Sequence, residues 1–296
     1  METNRLLKSL GLGPADRAAI VHVDDVGMCQ ASIQAFAELV DYGTVTSGSV
    51  MVPCPWFPAA AAYCRTHPEV DMGIHATLTS EWSTYRWGPI STRDAASGLM
   101  DAEGYFPRTC EEVQRAAVAA AAARELAAQA DQAVAAGIDP THIDTHMGAV
   151  THEKFMGAYV AQALRLRIPA MLPRPDAVGL SIIVEDPAAR AKMGAILPSL
   201  ERQGLPLLDG LVAMPLDEPK DQLETAKRLF NSLPAGVTHF LLHPSTDTPE
   251  VRSICPDWES RVWNFRTFLN PALKKFLADS GIVLIGYRAL RDAMRG

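Results

Sequence analysis

Two adjacent acidic residues, Asp24 and Asp25, close the apolar run AAIVHV at 18–23, and Gly27 lets the chain turn away. Like charges side by side repel, and carboxylates are among the costliest groups to bury. Three further stretches carry polar groups in apolar surroundings. His75 lies late in DMGIHATLTS, His142, Asp144 and His146 alternate in THIDTH, and His243 ends VTHFLLH. A cation would resolve the conflict at the acidic pair, because one aspartate could ligate it while its charge stabilises the other. Asp25, His75 and His146 would supply a carboxylate and two imidazoles, a three-ligand set that leaves a position open, as catalytic sites do. Imidazole-rich ligation points first to one zinc ion, with magnesium or another divalent ion as the alternative.

Alternation refines this. A period of two puts His142, Asp144 and His146 on one side of their strand. His146 is then nearest the strand end, and His142 lies roughly 13 Å deeper at about 3.3 Å per residue. Both histidines therefore do not share one ion. Asp144, between them, would orient a neighbouring ligand, with His142 behind it. His22, His67, His152 and His239 read as structural or surface residues.

These residues need elements that bring them together. Candidate strands are 19–23, 45–52, 70–78, 141–146, 168–172, 205–213, 237–243 and 282–286. Helical segments fall between them at 30–42, 57–66, 111–136, 153–166, 187–203, 220–232 and 267–279. Strands alternating with helices imply a mostly parallel sheet. Seven or eight such units predict an α/β fold of the TIM-barrel-like (β/α) class, distorted or incompletely closed, with an open doubly wound sheet as the competitor. In a βα barrel the carboxyl ends of the strands meet on one face, where Asp25, His75, His146 and His243 would converge. The reading is one domain over 1–296, with loop insertions around 80–108 and 245–266.

The bulk properties agree. Of 296 residues, 48% are apolar, enough for a large core, and the net charge of −7 gives no electrostatic case for nucleic acid or an anionic membrane. Five scattered cysteines without a CxxC pair fit a reducing compartment. No segment reads as a signal peptide or a membrane span. A cytoplasmic protein is expected, with a homodimer left open. Four of the five tryptophans lie in the two loops after His75 and His243. Trp82, Tyr85, Trp87 and Trp258 could stack on sugar rings there, and Arg86 could hold an anionic group; loop packing is the competing use of all five.

Taken together, the motifs resemble the YdjC-like carbohydrate deacetylases. VHVDDVGMC resembles their N-A-D-D-F-G start, GIHATLT their G-x-H-x-x-L-T segment, THIDTHMG their T-H-x-D-S-H segment and LLHPS their late C-H-P segment. The order agrees from about residue 18 to 290. Two departures stand out: Val26 replaces the Phe after the acidic pair, and HMGAVTH replaces an H-x-H-x-H continuation. The resemblance implies a TIM-barrel-like domain with Asp25, His75 and His146 as metal ligands, the trio already reached from the strand ends. It also implies Asp24 as general base and His243 as general acid.

The implied reaction is metal-dependent hydrolysis of the acetyl group from an N-acetylated amino sugar or oligosaccharide. Asp24 would take a proton from the attacking water, and His243 would protonate the amine that leaves. The alternatives are another amide or ester on a modified sugar, or a catalytically silent glycan-binding protein. The expected partner is a small carbohydrate substrate.

Overall fold

A computed structural model describes residues 5–295. Eight strands are found among them: β1 Arg17–Val26, β2 Ser47–Val50, β3 Met72–Ala76, β4 Ile143–Thr145, β5 Pro173–Val178, β6 Leu208–Ala213, β7 Gly236–Leu242 and β8 Val283–Leu284. All pair in parallel, in the order β4-β3-β2-β1-β7-β6-β5. Strand β1 is the hub and is buried along nearly its whole length, as a central parallel strand should be. One of its edges is shared: β8 pairs with Ala18 and Ala19, and β2 takes over from His22.

The ends of this curled sheet approach each other. Closure between β4 and the chain entering β5 rests on a single bridge, Ile143 to Ala170. The barrel is therefore distorted and incompletely closed, as expected. The strand expected at 168–172 is reduced to that bridge, and β5 follows it at Pro173–Val178. Pro169 and Pro173 explain the shift, since neither has an N–H to give to a ladder.

The helices pack outside. The helix expected at 111–136 is two, Cys110–Ala116 and Ala119–Ala135. Ala117 and Val118 between them are extended, and the Val118 N–H is donated to the Ser97 carbonyl of the preceding loop. That loop, 80–108, is pinned rather than loose: Ile90 and Ser91 donate their backbone N–H groups to the fully buried Glu125 carboxylate. The segment 245–266 folds largely as helices Pro249–Ile254 and Trp258–Phe268.

Alternation fills the interior in layers. Ala18, Ile20, His22 and Asp24 share one side of β1. Ala18 and Ile20 join Met171, Leu208, Val237, Leu241, Tyr287 and Leu290 in an apolar cluster distinct from the larger one. Polar groups lie above it along the same strands. No helix among the described residues is long and apolar enough to cross a membrane.

Candidate metal centre

A regular strand would send Asp24 and Asp25 to opposite faces. Here the β1–β2 register slips between Val23 and Val26, and Asp25 has φ +62°. That left-handed turn is costly for a residue with a Cβ, and Asp is among the few types that accept it. It swings Asp25 to the strand end, so both carboxylates serve the same interior. Asp25 Oδ1 lies 3.4 Å from His75 Nε2 and 3.2 Å from His146 Nδ1. One donor atom from each of the three residues falls within 4.8 Å of the other two, and all three residues are buried.

Each member is held from behind. His75 Nδ1 lies 2.9 Å from Asp144 Oδ1, and the Ser49 hydroxyl donates to Asp144 Oδ2 at 2.8 Å. Burial alone would push His75 down, but the Asp144 carboxylate, with Asp25 and Asp24, holds it well above the usual imidazole range. His146 Nε2 lies 3.0 Å from Glu81 Oε2. Against the same burial cost, Glu81 and Asp25 push His146 up to about 9. Arg261, buried, donates to Asp25 Oδ2 at 2.8 Å and to both Asp257 oxygens at 3.0 Å. Burial opposes the Asp25 charge, yet His146, His75 and Arg261 keep its carboxyl well below the usual range.

Asp24 is set apart from this trio. Its Oδ1 accepts from His22 Nδ1 at 2.8 Å, while Oδ2 lies 3.7 Å from His243 Nε2 and 4.0 Å from His75 Nε2. Burial opposes its charge too, but the His22 hydrogen bond and the nearby His75 and His243 leave it below its ordinary value. His243 is pushed down, chiefly by burial. Its Nδ1 has no hydrogen-bond partner, and its backbone N–H is donated to Asn264.

The donor set suits a cation. Asp25 Oδ1 is buried and makes no hydrogen bond, an expensive condition for a carboxylate oxygen unless something else meets it. Around a tetrahedral ion with bonds of about 2.0–2.1 Å, donors sit about 3.3 Å apart, the spacing of Asp25 Oδ1 from each imidazole nitrogen. A second group, His22, Asp24, Asp144 and His239, is equally compact. There Asp24 bonds His22, Asp144 bonds His75 and Ser49, and His239 bonds Tyr287, so none is left open in the way Asp25 Oδ1 is.

The strand-end reasoning thus brings Asp24, Asp25, His75, Asp144, His146 and His243 into one place. His142 lies a step further off, with its Nε2 2.9 Å from His22 Nε2 and its ring stacked on Tyr287. His22 and His239, read as structural or surface residues, are both buried inside the barrel with it. Burial and the neighbouring His22 push His142 well down and His239 to about 3.

Among the aromatic residues, Trp87 is 2% exposed and edge-on to His146 at 6.0 Å, and Trp82 is 7% exposed beneath the Arg261 guanidinium. Both are packing residues behind the site rather than open platforms. Arg86 is also not free for an anion: its side chain is buried and bonds Asp101, Glu103 and the Phe106 carbonyl. Tyr85 is half-buried, with its hydroxyl on the Met28 carbonyl, and Trp258 is half-buried on the helix that carries Arg261.

Glu81 and Arg261 went unread in the sequence. Glu81 follows the strand motif by a few residues in a loop, and Arg261 lies 236 positions from Asp25. Only the placement of Glu81 just past GIHATLTS could have marked it.

The family model described as YdjC-like protein matches residues 18–279. A protein of Thermus thermophilus named carbohydrate deacetylase is 31% identical over 289 residues, covering 98% of this chain and 99% of the relative. One of Thermoanaerobacter pseudethanolicus with the same name is 23% identical, covering 92% and 98%. A crystal structure from Enterococcus faecalis V583, of a protein proposed to act in cellobiose-phosphate cleavage, superposes with a TM-score of 0.76 at 21% identity, covering 93% of this chain and 99% of the other. That likeness confirms the barrel-like fold. On the family match, which spans most of its length, the chain belongs to the YdjC-like protein family.

Proposed function

We propose that this chain is a metal-dependent carbohydrate deacetylase that removes the acetyl group from an N-acetylated amino sugar. The relatives' shared name supplies the reaction class. The observation that carries the reading is the division of labour at the acidic pair. Asp25 Oδ1 is buried and unbonded between two imidazoles, while Asp24, next in the chain, is tied to His22 and faces His243.

Asp25, His75 and His146 would hold a divalent ion, zinc on ligand type. When bound, such an ion supplies Lewis-acid polarisation of the amide carbonyl. The chain's own residues do the rest. Asp24, held ionised, accepts a proton at Oδ2 from the attacking water. His243, 3.7 Å from that oxygen, protonates the amine nitrogen as the C–N bond breaks. The proton it delivers is the one Asp24 took from the water, passed across from Oδ2, so the water's proton ends on the amine and its oxygen on the acetate. Asp144 and Glu81 fix the orientation of the two imidazoles, and Arg261 leaves Asp25 one free oxygen rather than two. Tyr85 and Trp258 are the aromatic residues left with exposed surface to meet a sugar ring.

The test is acetate release from a panel of N-acetylated sugars by zinc-loaded protein. Turnover on at least one, lost on chelation and restored by the ion, supports the reading. Glycan binding without acetate release under any metal overturns it in favour of a silent binder.

A further inference from the structure

His22 projects into the barrel fully buried, with Nδ1 2.8 Å from Asp24 Oδ1 and Nε2 2.9 Å from His142 Nε2. His142 Nδ1 lies 3.0 Å from the Thr141 hydroxyl, which makes a short contact with Asp71 Oδ1. Five groups in a row thus join Asp24 to Asp71, the residue just before β3, and all are buried. We propose that His22 is a positioning residue for Asp24: its Nδ1–H holds one carboxylate oxygen so that the other faces His243, and the buried row through His142 and Thr141 to Asp71 holds the ring in place. This rests on the assignment of Asp24 as the base.

An ionised Asp24 only accepts, so the His22 proton is on Nδ1. At the far end the Thr141 hydroxyl donates to Asp71 Oδ1, which also accepts from the Ser47 hydroxyl. Packing locks the rings as well. His142 stacks on Tyr287 at 3.8 Å, and His22 lies 4.5 Å from the His239 ring. A Cβ at Gly73 would overlap the His142 ring, so glycine there makes room for it. An asparagine amide in place of His22 could also donate to Asp24.

The experiment compares His22→Ala and His22→Asn in the metal-loaded enzyme by acetate release. The alanine variant should lose about 10–100-fold in kcat with KM and metal content unchanged, and the asparagine variant should regain most of it. In an Asp24→Asn background, His22→Ala should cost no further kcat, because the effect passes only through Asp24. An equal loss in both backgrounds, or wild-type kcat in His22→Ala, overturns the proposal. Nitrogen NMR of the histidine-labelled, metal-free wild type covers the case in which His22→Ala does not fold: a proton on His22 Nδ1 supports the proposal, and a bare Nδ1 overturns it. Wild-type kcat in Asp24→Asn alone would instead remove the base assignment, and the NMR result would still report separately on the His22 tautomer.

Discussion

Asp144 and Asp25 grip opposite ends of one imidazole: Asp144 Oδ1 lies 2.9 Å from His75 Nδ1, and Asp25 Oδ1 lies 3.4 Å from its Nε2. A carboxylate behind a ligating histidine fixes its tautomer and makes the facing nitrogen a better donor. Asp144→Asn should therefore weaken zinc binding by about 10–100-fold without unfolding the chain, as read by competition with a chromophoric chelator. Unchanged affinity would mean that Asp144 serves the fold alone.

The two imidazoles also set a pH dependence. His146 is raised from 6.5 to about 9 in the folded, metal-free chain, and His75 is also held well above the usual imidazole range. A histidine raised by folding contributes its full stability below 6.5 and loses it as pH climbs through the folded value. The metal-free protein should lose stability between pH 6.5 and about 9, by denaturant midpoints. The buried histidines held low, His142 and His239, act only below 6.5. At pH 7, binding of the ion must also expel protons from the site, which calorimetry in buffers of different ionisation enthalpy detects. Stability flat or rising across that window would contradict the ion-paired arrangement.

Arg261 neutralises two acids at once, the buried Asp25 and the half-buried Asp257. Removing one partner of a buried pair leaves an uncompensated charge and costs about 3–5 kcal/mol. Arg261→Met should lower the unfolding free energy of the metal-free chain by that order. A bound cation should recover part of the loss, since it meets the Asp25 charge. Equal destabilisation with and without zinc would show that Arg261 acts on Asp257 rather than on the site.

How much of this could be read from residue types alone depended on whether periodicity governed the position. His75, His146 and His243 end buried strands, and Asp144 and His146 alternate, so strand geometry carried them to one place. Asp25 was reached for a different reason. Its side chain depends on a register slip and a left-handed backbone turn, and a period-two reading would have pointed it away from Asp24. Glu81 and Arg261 come from a loop and an outer helix, where no local period reports on tertiary contact. The aromatic cluster after His75 looked like a rim, yet Trp82 and Trp87 are drawn under the loop by packing and by hydrogen bonds such as Trp87 Nε1 to the Thr79 carbonyl.

Gly73 links the floor of the barrel to the base. Gly73→Ala would drive a methyl into the His142 ring, and overpacking of this kind costs about 1–3 kcal/mol. Thermal unfolding should shift down accordingly, and kcat should fall with it as His142 moves off His22. A variant as stable and active as the wild type would show that the ring has room to yield.

Metal stoichiometry reaches the centre of the account most directly. The wild-type chain, equilibrated with zinc, dialysed and analysed for elemental content, should retain one ion, and His75→Ala, His146→Ala and Asp25→Ala should each retain almost none while staying folded by circular dichroism. A wild type that holds no ion, or variants that hold it undiminished, would contradict the site.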